Sequence, residues 1–243
     1  LAGLLAALAA TALVAAQAHA VETAERLERL SAAAIAAYDE TAAAGLKAVT
    51  HARVPLAGAE ASEIYAFRAS DGGPEHLAIL IGDEAGRPPA PPGPVLARLH
   101  SECFTGDLIG SLKCDCGEQL RGAIRAIAAG GGGVLLYLAQ EGRGIGLINK
   151  LRAYQLQDQG FDTIEANERL GFDADERLFR PAATMLEILG FTRIRLLTNN
   201  PDKVAGLERH GIRIEERVAH AFPANPHNAD YLNTKKTKAG HVL

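Results

Sequence analysis

Three cysteines lie between positions 103 and 116, and the chain has no others. Ten residues separate Cys103 from Cys114, Asp115 and Cys116. An odd, tightly grouped set of thiols is a poor disulfide framework and closes no long loop. Bundled soft ligands suit a metal in reducing surroundings, which points to the cytoplasm. Three thiolates fill three corners of a tetrahedral zinc and leave the fourth to water, whose pKa falls to about 7 when so bound. Cys114 and Cys116 stand just before a helix-forming stretch, where amide dipoles favour thiolate over thiol. The same spacing also fits a closed structural zinc with His100 as fourth ligand, or three inert thiols. His100-Ser-Glu102 has the H-x-E pattern of zinc deaminases, but their P-C-x-x-C partner is missing, since the pair here is Cys-x-Cys.

Two further segments could meet an anion. Glu141-Gly-Arg-Gly-Ile-Gly146 lies between an apolar strand and a helix, and could offer backbone N–H groups and the Arg143 guanidinium. Thr198-Asn-Asn-Pro-Asp-Lys203 again precedes a helix, with Pro201 suited to its first turn and Lys203 near its positive end. Either segment alone fits an ordinary tight turn. Two helix starts, each with a cation, suit a polyphosphate better than one carboxylate. Asp175-Glu-Arg177 is a charge run of the kind usually found in solvated loops. Tyr154 falls on the apolar face of its helix, where core packing is the ordinary expectation. Spacing selects neither.

The elements that must position these groups alternate along the chain. Glu63–Phe67, His76–Ile81, Val95–Leu99, Val134–Leu138 and Ile194–Leu197 read as strands. Gln119–Ala129, the stretch carrying Leu147, Leu151 and Tyr154 up to Gly160, Pro181–Leu189, and the segment from Pro201 to about Gly211 read as helices. Strand, loop and helix in repetition predict an α/β domain, a mixed sheet flanked by helices, with ligands at strand ends. Gly86–Pro94 holds five prolines and predicts an exposed extended loop. The tail from about Pro223 is polar and weakly patterned.

Residues 1–48 read as an Ala-rich helical extension, and 49–243 as the domain that carries the candidate site. The run ending Ala18-His19-Ala20 mimics a secretory leader. No Lys or Arg precedes it, however, and Leu1, Leu4, Leu5 and Leu8 fall at helical spacing. The extension is therefore expected to be a packed helix, part of a longer upstream region. Of the 243 residues 48% are apolar and 22% charged, ordinary values for a soluble protein. A net charge of −4 argues against a protein that clamps nucleic acid electrostatically. Neither a nucleic-acid nor a membrane partner is expected.

The residues resemble one family. Arg98–Asp107, Gly110–Gly117, Gln140–Leu147, Asp162–Asn167, Leu170–Phe172, Leu197–Lys203 and Tyr231–Lys235 match GTP cyclohydrolase II in order and spacing, from about Ala52 to the C-terminus. The resemblance implies that Cys103, Cys114 and Cys116 ligate one zinc. It implies GTP contacts from Arg98, Leu99, His100, Ser101, Glu102, Gln119, Glu141, Gly142, Arg143, Thr163, Thr198 and Lys203. Asp175 would be the proton acceptor and Arg177 the nucleophile toward the α-phosphate, although a guanidinium is nearly always protonated. Tyr154 would serve ring opening and formate release. The implied reaction converts GTP to a diaminopyrimidine ribosylamino phosphate, formate and pyrophosphate at the entry to riboflavin synthesis, in a homodimer. Mg²⁺ would shield the triphosphate. Glu141 or Glu102 could accept from the donor edge of guanine. The alternatives are a paralogue that stops at the formamidopyrimidine, which Tyr154 disfavours, and a non-catalytic zinc module, which Asp175 and Arg177 disfavour. Fused relatives carry an upstream dihydroxybutanone-phosphate synthase marked by an acidic cluster. Residues 1–50 hold no such cluster, so no synthase activity is expected.

Overall fold

The computed structural model describes residues 30–83, 93–238 and 240. The run of residues 1–20 and most of the proline-rich segment lie outside the described residues. Gly93 and Pro94, at the end of that segment, are exposed.

Seven strands form one mixed sheet: β1 (Lys47–Arg53), β2 (Ser62–Arg68), β3 (His76–Ile81), β4 (Val95–Ser101), β5 (Gly133–Leu138), β6 (Arg193–Leu197) and β7 (Arg213–Val218). Their order is β1-β2-β3-β5-β4-β6-β7. The β1, β2, β3 and β5 neighbours pair antiparallel, whereas β5, β4, β6 and β7 pair parallel. The continuous apolar runs of β4 and β5 suit strands covered on both faces, and nearly every residue of both is buried.

On one face, α3 (Cys116–Ala129) buries Ala123 and Ile127 against Leu96, Leu135, Ile79 and Ile81. On the other, α6 (Arg180–Ile188) buries Ala182, Ala183, Met185 and Leu186 against Leu99, Leu136, Ile194 and Leu196. The described part of the extension consists of two short helices, α1 (Ala32–Ala36) and α2 (Tyr38–Ala44), and α2 packs on α6. The expected helical character stops there. Gly45 caps α2, and β1 already begins at Lys47. The sequence reading missed β1 because all seven of its residues are exposed, leaving no alternation to see. It missed β7 because only Ile214 and Val218 of Arg-Ile-Glu-Glu-Arg-Val are half-buried, the other four residues being exposed.

The remaining helices are α4 (Gly146–Gln157), α5 (Thr163–Arg169), α7 (Pro201–Arg209) and α8 (Ala229–Thr237). In α4 the expected apolar face is not a core face, because Leu151 is 47% exposed and Leu147 and Tyr154 are only half-buried. Of the polar tail, α8 buries Lys235, with Tyr231 and Leu232 half-buried, too sparse a pattern to read as amphipathic.

At Gly133 the start of β5 crosses β4 closely. A Cβ there would stand 2.0 Å from the Leu96 carbonyl oxygen. Backbone cannot yield as a flexible side chain does, so Gly133→Ala should lose about 1–3 kcal/mol of stability. A urea midpoint equal to wild type would refute that close approach.

Candidate active site

Parallel pairing of β5, β4 and β6 brings their C-terminal ends to one edge, the place where open α/β sheets bind ligands. Arg98–Ser101 end β4. The loop after β5 carries Glu141, Gly142 and Arg143, and the loop after β6 carries Thr198 and leads to Lys203. One cavity collects these with Glu102, the three cysteines, Gln119, Tyr154, Thr163 and Arg177. It encloses about 1100 Å³, open solvent at its mouth included. Two expected site residues lie elsewhere. Leu99 is a core side chain, 1% exposed, and only its carbonyl takes part, accepting from Lys203 Nζ at 2.7 Å. Asp175 lines an adjoining cavity with Arg143, Arg177, Asn200 and Asp202.

The thiols form a cradle. Cys103 caps a π-helical turn (Phe104–Leu108), its Sγ accepting from Gly106 N at 3.3 Å. Cys103 Sγ lies 3.8 Å from Cys114 Sγ, and the three sulfurs all lie within 4.8 Å of one another without a disulfide. Gly106 is required by this cluster, since a Cβ there would stand 2.8 Å from Cys114 Sγ and 3.1 Å from Cys103 Sγ. Hydrogen bonds from Cys114 and Cys116 hold the Cys103 thiol far below its ordinary range, and the Lys150 ammonium 3.0 Å away adds to this. Neighbouring Cys103 holds the Cys114 and Cys116 thiols above their ordinary range, so the trio carries one thiolate until a cation joins it; three clustered thiols with a side open to a cavity fit a metal with one exchangeable position. His100 does not close that set. Its Nε2 is 3.0 Å from both oxygens of Asp107, which also accepts from Cys103 N and Tyr137 Oη.

Beside the cradle stand buried cations with too few counter-charges. Arg98, 5% exposed, donates to the Leu197 carbonyl at 2.9 Å and to Gln119 Oε1. Burial pushes its pKa down to about 10. Lys203 is 7% exposed and carries no ion pair among the described residues. Burial pushes its pKa well below the usual lysine range, and the charges of Arg98, Arg177 and Lys235 push it further. Arg177 is paired with Asp175, Nε to Oδ1 at 2.7 Å. Such a cluster is complete only with an anion. Local sequence sets it up. Asn200 caps α7 through Asp202 N, with Pro201 in the first turn. The turn Glu141–Gly144 holds Gly142 and Arg143 at φ 65° and 63°, and the Arg143 carbonyl accepts from Glu176 N, tying the turn to the Asp175 loop.

The carboxylates divide. Glu141 is fully engaged, accepting from Phe104 N, Gly142 N and Lys150 Nζ at 2.7, 2.9 and 2.8 Å. Glu102 lines the cavity with no hydrogen bond to its carboxylate among the described residues, and burial, then Glu141, raises its pKa. Tyr154 is not packed in the core as its helix position suggested. It faces the cavity with Lys113 Nζ 5.1 Å from its ring, and burial pushes its pKa up to about 12. The sequence reading missed Lys150, one helical turn before Tyr154 and visible as its i−4 neighbour. It also missed Asp107 and Asp115, which lie inside the cysteine segment but ligate nothing themselves.

Fold and site together define an α/β domain that sets a three-thiol cradle beside a polyanion pocket. The chain belongs to the GTP cyclohydrolase II family, whose profile matches residues 47–219. It is 64% identical over 198 residues to the GTP cyclohydrolase-2 of Azospirillum brasilense, covering 82% of this chain and 50% of that protein. It is 59% identical over 173 residues to the GTP cyclohydrolase-2 of Azotobacter vinelandii, covering 70% and 80%. With the riboflavin biosynthesis protein RibBA of Bacillus subtilis it shares 54% over 181 residues, 74% of this chain and 44% of that protein. The chain thus spans about half the length of the Azospirillum relative and less of the Bacillus one.

Lys203 gives the pocket a pH signature. With GTP as the pocket's ligand, only the protonated form would attract it, and affinity should fall as pH rises through a pKa depressed below the ordinary lysine value of about 10.4. Calorimetric titration of Lys203→Arg, whose charge persists, should show that weakening only at higher pH; an unchanged profile would remove Lys203 as its cause.

Proposed function

We propose that this chain hydrolyses GTP to 2,5-diamino-6-ribosylamino-4(3H)-pyrimidinone 5′-phosphate, formate and pyrophosphate, the first step of riboflavin synthesis. The observation that carries this reading is the shared cavity wall, on which a three-thiol cradle adjoins the buried cations Arg98 and Lys203. Residues 49–243 form the catalytic domain in this reading, with residues 1–48 as an extension.

Cys103, Cys114 and Cys116 would hold zinc, which supplies a Lewis acid that makes water nucleophilic at neutral pH. Glu102, with its free carboxylate, accepts from N1–H and the 2-amino group of guanine, while Glu141 orients Lys150 and the Cys103 turn. Tyr154, neutral at working pH, donates a proton to the opened ring and its formyl group. Arg98, Arg143, Lys203 and Arg177 receive the triphosphate, accompanied by Mg²⁺.

Asp175 and Arg177 act at the α-phosphate. Burial disfavours both charges, but their mutual hydrogen bonds keep Asp175 ionised and Arg177 protonated. That pairing favours Asp175 as acceptor of a water proton and Arg177 as stabiliser of phosphate charge, and it disfavours a guanidine nucleophile.

The reading extends to a cytoplasmic homodimer. Leu108, Ile109, Leu112, Ile148 and Leu151 are exposed apolar side chains on the two segments framing the cavity, and they offer a second copy apolar surface. No described helix is long and apolar enough to cross a membrane.

Zinc-replete protein incubated with GTP and Mg²⁺ should release formate and pyrophosphate, and absence of formate would sink the assignment. Cys114→Ser should lose bound metal and ring opening together. In Arg177→Ala, pyrophosphate release should slow by about 10²–10³-fold; a rate near wild type would free Arg177 of any role at the phosphate.

A further inference from the structure

Helix α8 lies beyond residues 47–219, where the family profile matches, yet its Tyr231 and Lys235 wall the cavity. Lys235 is 8% exposed, with its ammonium 2.8 Å from Asp115 Oδ1 and 4.3 Å from the Tyr231 ring centroid. Asp115 separates two of the cradle thiols and is 1% exposed. Its other oxygen accepts from Gln119 Nε2, and Gln119 Oε1 accepts from Arg98. A chain of polar contacts therefore runs from the C-terminal helix, past the thiol loop, to a cation of the anion pocket. Just past its end, α8 is tied a second time. The Lys238 ammonium contacts Asp162, which caps α5, the helix that starts at Thr163.

We propose that Lys235 is a positioning residue for the reaction at this cavity, fixing Asp115 and through it the Gln119–Arg98 pair, so that α8 serves as a clasp that must be seated for GTP to be gripped. The physical reason lies in charge balance. Without Lys235, Asp115 is a buried carboxylate with no ion-pair partner, which is strongly unfavourable. The nearest remedy is Arg98, whose guanidinium already feels the Asp115 charge. Arg98 turned toward Asp115 leaves Gln119 and loses its place in the pocket. The cradle sulfurs keep their own backbone supports, including the Gly106 N–H on Cys103. The defect therefore falls on substrate binding more than on metal binding.

The inference rests on the reading of the cavity as a GTP site, and the test separates the two. Lys235→Met and Lys235→Arg are made in the full chain, loaded with zinc, and compared for zinc per chain, kcat and KM for GTP. Lys235→Met should keep wild-type zinc and raise KM by about tenfold or more, with a smaller change in kcat, and Lys235→Arg should recover most of that loss. A KM within twofold of wild type in Lys235→Met overturns the proposal. So does loss of zinc and kcat at unchanged KM, which would make Lys235 a support of the thiol loop alone. Should Lys235→Met fail to fold, Lys235→Gln still fills the space but leaves Asp115 without a counter-charge, and an unchanged KM there overturns the proposal equally. If wild-type protein turns over no GTP, the functional reading falls by itself, and calorimetric affinity for GTP in the same variants decides the clasp.

Discussion

Two buried cations rest on main-chain carbonyls of neighbouring strands, and much of the structure exists to make that tolerable. Arg98, on β4, donates to the Leu197 carbonyl at the end of β6, and Lys203, beyond β6, donates to the Leu99 carbonyl of β4. The exchange works only because β4 and β6 run parallel in one register and end together. Carbonyl dipoles replace some of the lost hydration but cancel no charge. The pocket is left electrically unfinished, which is the condition an anionic ligand relieves. The sheet order therefore shapes the electrostatics of the site as well as its position.

The thiol cradle solves a different problem with similar means. Three sulfurs must approach closely without oxidising to a disulfide or being pushed apart by neighbours. The π-helical turn after Cys103 and the bare Cα of Gly106 make room, and Lys150 supplies the opposing charge. Lys150 also bonds Glu141, which holds Phe104 N, so the cradle and the turn after β5 share one ion pair. Perturbation of either is expected to reach the other.

How far the sequence foretold this depends on the kind of signal. The central strands and α3 were legible because burial on both faces leaves continuous apolar runs, as in Val134–Leu138. The cysteines were legible because thiols are rare and their spacing is chemistry in itself. Edge strands β1 and β7 were not, since exposed strands carry no pattern. Tyr154 was misplaced because helical periodicity marks a semi-apolar face without saying whether protein or an open cavity covers it. Asp175 and Arg177 came from family resemblance, as pairing across two residues looks like any surface charge run until burial is known. Lys235 entered only as the end of a matching motif and was given no role, for a similar reason. A lysine in a polar tail announces nothing, and its partner Asp115 is 120 residues away.

Arg143 carries a consequence of another sort. It is the one non-glycine at positive φ among the described residues, flanked by Gly142 and Gly144, which share that conformation freely. A side chain there costs about 1–2 kcal/mol relative to glycine. Selection for robustness alone would erase the arginine, and glycines on either side show how short that evolutionary step is. Drift toward thermal hardiness and retention of a guanidinium at the cavity thus pull in opposite directions at this one codon, which makes it a natural place to look for trade-offs among variants from hot and temperate habitats.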